Sequence, residues 1–95
     1  LSAAAPFDLE RPWALDSRVA LRPERFGALA YHFGTRRLSF LKTTKLLAVV
    51  TALAEQRSAR EACVVAGVSA EELPAYRDAL ARLAETGMLT EREPA

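Results

Sequence analysis

Two hydrophobic rhythms divide this chain. Between residues 18 and 41 apolar positions recur in steps of two, the period of a strand, and from about residue 44 they recur every three or four, the period of a helix. The first stretch predicts a three-stranded antiparallel meander. Phe33-Gly34-Thr35-Arg36 fits a two-residue hairpin loop with glycine first, the type II′ preference. That loop sets Phe33 opposite Arg36, Tyr31 opposite Leu38 and Leu29 opposite Phe40. Leu29, Tyr31, Leu38 and Phe40 then share an apolar face, with Ala28, Ala30, His32, Arg37 and Ser39 on the other. A three-residue turn at Pro23-Glu24-Arg25 brings Val19 and Leu21 onto the same apolar face, which a two-residue turn does not.

The second stretch predicts three helices. Thr44 to Gln56 is apolar nearly all round, through Leu46, Leu47, Val49, Val50 and Leu53, and is therefore central and buried. Ser58-Ala59-Arg60-Glu61 is a capping-box pattern that opens a second helix ending near Gly67. Ser69-Ala70-Glu71-Glu72 repeats the pattern. Pro74 lies too deep in the segment it opens for an undisturbed helix, so a first turn followed by a kink or restart is expected. Beyond it Leu73, Tyr76, Leu80 and Leu83 form an apolar stripe, Gly87 ends the helix, and Met88-Leu89-Thr90 suits a short returning strand. Residues 1–17 read as an N-terminal arm: Pro6 and Pro12 interrupt regular structure, while Phe7, Leu9, Trp13 and Leu15 are apolar enough to dock, Trp13 as a packing anchor. The expected fold class is α+β, winged-helix-like: a three-stranded antiparallel meander followed by three helices, in one domain over residues 18–95.

Composition narrows the function. At 95 residues the chain makes one domain at most, with room for a modest core but not for a deep substrate cavity as well. The longest apolar runs, Leu46–Val50 and Ala62–Ala66, fall far short of a membrane span. Cys63 is the only cysteine, so no internal disulfide forms, and with no signal-like start a reducing cytoplasm is expected. Charge is uneven. Residues 18–45 carry seven bases and one acid, net +6, whereas 1–17 carry −2 and 46–95 carry −3. Such a basic middle either steers an acidic ligand or is simply a solvated surface.

No chemistry assembles from the residue types. His32 and Cys63, one of each, do not supply the clustered ligands of a zinc site; His32 reads as an exposed strand residue and Cys63, among Ala59, Ala62 and Ala66, as a buried inert thiol. The four glycines, at 27, 34, 67 and 87, form no phosphate-cradling loop. Carboxylates in the last helices alternate with arginines, as on a solvated face. The expectation is a non-enzyme without cofactor or metal. Binding is better supported. The third strand, Arg37 to Leu41, is an edge without proline or inward charge in Leu38-Ser39-Phe40-Leu41, flanked by Arg36, Arg37 and Lys42. Unless the arm or a second copy shields it, this edge suits strand addition of an acidic peptide.

Three stretches carry a family likeness: Phe7-Asp8 with Pro12-Trp13 in the arm, Ala20-Leu21-Arg22-Pro23-Glu24, and the block from Phe26-Gly27-Ala28-Leu29 to Ser39-Phe40-Leu41. Together they closely resemble the MftB peptide-chaperone family of mycofactocin biosynthesis, and more broadly the PqqD-like RiPP recognition elements. The resemblance implies a module that holds a ribosomally made precursor peptide and hands it to a radical SAM enzyme, which carries the iron–sulfur chemistry itself. It also implies a leader peptide added beside the third strand, in a groove toward the third helix. Carried onto this chain, one wall is Arg36, Arg37, Leu38, Ser39, Phe40 and Leu41, and the other Arg77, Leu80, Ala81 and Ala84. The rival reading is a nucleic-acid-binding winged helix. Residues Glu71–Glu85 hold four acids and two bases, net −2, which repels a phosphate backbone. The expected partners are therefore peptide and enzyme, with neither nucleic acid nor membrane.

Overall fold

A computed structural model describes residues 7–92; the first six residues of the expected arm and the last three of the chain lie outside the described residues. The chain runs β1 (Trp13–Leu15), β2 (Val19–Glu24), β3 (Gly27–His32), β4 (Leu38–Leu41), α1 (Thr44–Ala52), a 3₁₀ turn (Leu53–Glu55), α2 (Ala59–Ala66), α3 (Leu73–Glu85) and β5 (Leu89–Glu91). Strands β2-β3-β4 form the antiparallel meander, and β1 pairs with β5 in a separate two-stranded sheet. The α+β order of meander and three helices is the one expected. The addition is β1: the arm does not merely dock but pairs Trp13 with Glu91 and Leu15 with Leu89.

Register in the second hairpin follows the expectation, with Leu29 opposite Phe40 and Tyr31 opposite Leu38. Its turn does not. Gly34 is not in the left-handed region; Arg36 is, at φ 64°. The cause is His32. Its imidazole Nδ1 accepts the backbone N–H of Gly34 at 2.9 Å and of Thr35 at 3.0 Å, while the Arg36 N–H donates to the His32 carbonyl at 2.7 Å. The turn is thus wound around an imidazole rather than closed by a glycine. A Cβ at position 34 would lie 2.8 Å from the His32 ring, so glycine serves there for close approach. His32, expected to be exposed, is 1% exposed.

The first hairpin also departs from expectation. Glu24 pairs with Gly27 across a two-residue loop, Arg25-Phe26, so Val19 stands opposite His32 and Leu21 opposite Ala30. Val19 and Leu21 therefore share a face with Ala28, Ala30 and His32, not with Leu29 and Tyr31. This is the face that enters the core. Ala28 and Ala30 are fully buried, and their small side chains let α1 approach the sheet. Leu38 and Phe40 point the other way, each 59% exposed.

The core gathers Leu46, Val49 and Val50 of α1, Leu53, then Ala62 and Cys63 of α2, Leu80 and Leu83 of α3, and Met88 and Leu89. Phe7 and Leu9 close it from the arm side. Fully burying side chains such as Leu53 or Leu80 contributes about 1.5–3 kcal/mol each. Helix starts follow the capping chemistry. Ser58 Oγ accepts the Glu61 N–H at 3.1 Å. Ser69 and Glu72 form a reciprocal box: Ser69 Oγ accepts the Glu72 N–H at 3.2 Å and Glu72 Oε1 accepts the Ser69 N–H at 3.0 Å. That box closes a separate turn, and α3 restarts at Leu73 with Pro74 in its first turn, where a missing N–H costs nothing. The arm is fastened at several points. Trp13 stacks on Phe7 at 4.6 Å, α2 donates the Ala59 and Arg60 N–H groups to the Arg11 and Leu9 carbonyls, and the Arg92 guanidinium donates to the carbonyls of Trp13, Leu53 and Gln56.

Candidate functional site

Between β4 and α3 lies an open groove with a cavity of about 400 Å³. Ser39, Phe40, Lys42, Thr43 and Leu46 form one wall; Ala75, Tyr76, Ala79, Arg82, Leu83 and Thr86 form the other. The helix wall repeats at 75/76, 79, 82/83 and 86, one side of a regular helix. Its small members, Ala75 and Ala79, leave the space; Leu46 and Leu83 provide an apolar floor. Two cations, Lys42 and Arg82, and no carboxylate line it among the described residues. The outer edge of β4 carries no strand among the described residues, since β4 ends the order β2-β3-β4 and the arm lies against β5 instead.

The strand residues singled out from sequence divide by parity. Ser39 is half-buried and lines the groove, Leu41 is buried, and Leu38 and Phe40 are exposed on the outer face, Phe40 also reaching the groove rim. Arg36 and Arg37 are exposed at the head of β4. The helix residues fall elsewhere. Leu80 is fully buried, Ala81 and Ala84 are half-buried against the core, and Arg77 is exposed beside Asp78; none of the four lines the cavity. The side of α3 that faces the groove is that of Tyr76, Ala79, Leu83 and Thr86. Tyr76 and Leu83 belonged to the apolar stripe, so that stripe, with alanines added between its members, was the signal available for this wall.

Two polar contacts fix the groove's width. Thr43 Oγ1 and the Tyr76 hydroxyl stand 3.3 Å apart across it. Lys45 Nζ donates to both Glu72 carboxylate oxygens, at 2.9 and 3.2 Å. The Glu72 carboxyl is held below its ordinary pKa, first by the Ser69 N–H and then by Lys45, and Lys45 is raised by that same bond to Glu72. Cys63 is buried away from the groove, and burial pushes its thiol pKa up, away from a reactive thiolate. Among the described residues no three His, Cys, Asp or Glu side chains come together as a metal site, and no helix is long and apolar enough to cross a membrane.

The comparisons with known proteins now bear on this geometry. The family model of the peptide chaperone MftB family matches residues 12–90, which takes in β1, the meander, the groove and the first two residues of β5. The chain belongs to the peptide chaperone MftB family. It is 51% identical over 92 residues to the peptide chaperone MftB of Mycobacterium ulcerans, covering 97% of this chain and 84% of that relative. To the peptide chaperone MftB of Mycobacterium tuberculosis it is 50% identical over 90 residues, covering 95% and 83%. The Mycolicibacterium smegmatis protein of the same name is 47% identical over 88 residues, covering 93% and 86%. No solved structure gives a significant match. Family membership thus rests on sequence, and the groove between β4 and α3 is what the fold adds to it.

Proposed function

We propose that this chain is a peptide chaperone that captures the leader of the mycofactocin precursor peptide by strand addition at β4 and presents it to a radical SAM maturase. The observation that carries the reading is the edge of β4, unpaired among the described residues, running beside a groove that is apolar at its floor and lined by Lys42 and Arg82, with no carboxylate among the described residues. An added strand satisfies its own backbone groups on that edge, and its alternate side chains enter the groove. The names of the relatives, peptide chaperones, support the same reading. In this reading β4 from Arg36 to Leu41 supplies the backbone and flanking charge, and Tyr76, Ala79, Arg82 and Leu83 supply the facing wall. The chain itself contributes no bond-making group; the chemistry belongs to the enzyme. Nucleic acid fits poorly, because Glu71, Glu72, Asp78 and Glu85 make the segment around α3 net acidic.

Because the His32 N–H donates to the Arg37 carbonyl, the Ser39 N–H faces Ala30 of β3 and those of Leu38 and Phe40 face the free edge; replacing Leu38 with proline removes an outward donor and leaves the β3–β4 ladder in place. Titration with the precursor peptide is expected to show binding abolished for Leu38→Pro, with far-UV circular dichroism unchanged. Undiminished binding by the folded variant would sink strand capture.

A further inference from the structure

The outer face of the meander is apolar and uncovered. Phe33 is 63% exposed, Leu38 and Phe40 59% each and Phe26 44%, and they gather about the outer face, with Phe40 also at the rim of the groove. They are organised. Phe26 and Phe40 pair at 6.1 Å at one end, Tyr31 and Phe33 meet edge-on at 5.1 Å at the other, and the cross-strand pairs Leu29–Phe40 and Tyr31–Leu38 join the two ends. The distribution reverses what stability alone favours: alanines fill the buried face and the large side chains stand in water. Contiguous apolar surface of this kind marks a contact site in a soluble protein.

Its rim is basic. Arg22 lies opposite Leu29, Arg25 adjoins Phe26, Arg36 precedes Leu38 by two residues, and Lys42 lines a cleft with Phe26 and Phe40. The nearby acid Glu24 is held by Arg22 at 2.7 Å, and among the described residues Arg25, Arg36 and Lys42 form no ion pair. Two copies meeting on this face would oppose like charges, so a second copy is a poor occupant. A peptide on the β4 edge leaves the face open and extends it by one strand, with the peptide's outward side chains beside Leu38 and Phe40.

We infer that the outer face of the meander is a second docking surface, adjoining the groove and meeting it at Phe40 and Lys42, for a protein with an apolar patch rimmed by carboxylates. Resting on the proposed presentation role, that protein is the maturase that receives the peptide. It then contacts chaperone and peptide on one continuous sheet surface, so the peptide need not leave the groove before the enzyme engages.

The test uses the full chain, the purified radical SAM maturase and the precursor peptide, with calorimetry for each binary affinity. Phe33→Ser and Arg25→Glu change exposed residues that do not line the groove. Each is expected to weaken enzyme binding by about tenfold while peptide affinity stays within about twofold, and Arg25→Lys is expected to restore enzyme binding. Unchanged enzyme affinity in both variants overturns the proposal. So does an equal fall in peptide affinity, which would make the face part of the peptide site. Sedimentation showing a parent dimer that Phe33→Ser dissociates also overturns it, in favour of a second copy. Leu38→Pro keeps the two readings apart: if it retains peptide, strand capture fails, while the enzyme affinities of the Phe33 and Arg25 variants still decide the outer face.

Discussion

The Tyr76 hydroxyl on α3 stands 3.3 Å from Thr43 Oγ1, the same oxygen that accepts the Leu46 N–H at 2.9 Å and caps α1. One threonine therefore starts the central helix and ties the far wall of the groove to the near one. Thr43→Val removes both contacts and is expected to cost about 1–2 kcal/mol, as lost N-caps do. Tyr76→Phe removes only the bridge and is expected to cost about 0.5–1.5 kcal/mol. Urea midpoints of the two variants and of the double variant check this; strict additivity would mean that the hydroxyls do not interact.

Gly27 is expected to be irreplaceable. A Cβ there would lie 2.1 Å from the Leu41 carbonyl oxygen and 2.7 Å from that of Thr43, both backbone atoms that no rotamer change moves. Gly27→Ala forces β4 and the start of α1 away from the first hairpin. Loss of more than about 4 kcal/mol is expected, read as a collapse of soluble yield and of the thermal transition.

Asp16 gives the fold a pH dependence of known sign. Its carboxyl is lowered from 3.8 to about 2, first by the Arg18 side chain, which donates at 3.0 and 3.2 Å, and then by the Arg18 backbone N–H at 2.9 Å. The folded value lies below the unfolded one, so the stabilisation is complete above about pH 3.8 and is lost as the pH falls through about 2. Carboxyl-carbon NMR titration is expected to show Asp16 moving back toward its ordinary value in Arg18→Gln. An ordinary Asp16 titration in the parent protein would contradict the geometry.

His32→Ala leaves the Gly34 and Thr35 N–H groups without their acceptor and a void beneath the hairpin. The expected cost is about 1–3 kcal/mol from the hydrogen bonds alone. Its role is architectural, so peptide modification by the proposed maturase is expected to persist at matched folded concentration. A folded variant that binds peptide normally yet blocks turnover would make His32 part of the chemistry.

Local signals carried most of the fold. The switch from period two to period three and a half, the Ser58 and Ser69 boxes and the Tyr31–Leu38 register are all written within a few residues of where they act. The grouping of Leu29, Tyr31, Leu38 and Phe40 on one face was legible, but which face enters the core was not, because the larger apolar side chains point to the wrong one. Ala28 and Ala30 were the stronger indication: a helix packing closely on a sheet needs small residues there. The imidazole-centred turn was hidden because it depends on a side chain folding back on its own loop. On α3 the apolar period shows which residues share a face but not which face meets β4, and Leu83 serves both, buried in the core and lining the groove.

The β1–β5 pairing joins Trp13 to Glu91, positions separated by nearly the whole described chain. A chain emerging from the ribosome has its meander and first helices available early, but β1 finds no partner until residues 89–91 follow. Until then Phe7 and Leu9 have only part of their packing, and the Arg92 guanidinium has yet to bind the Leu53 and Gln56 carbonyls. Closing so long a loop is slow relative to helix and hairpin formation. Folding therefore ends with a clasp, made only once residues 89–92 are available to the arm.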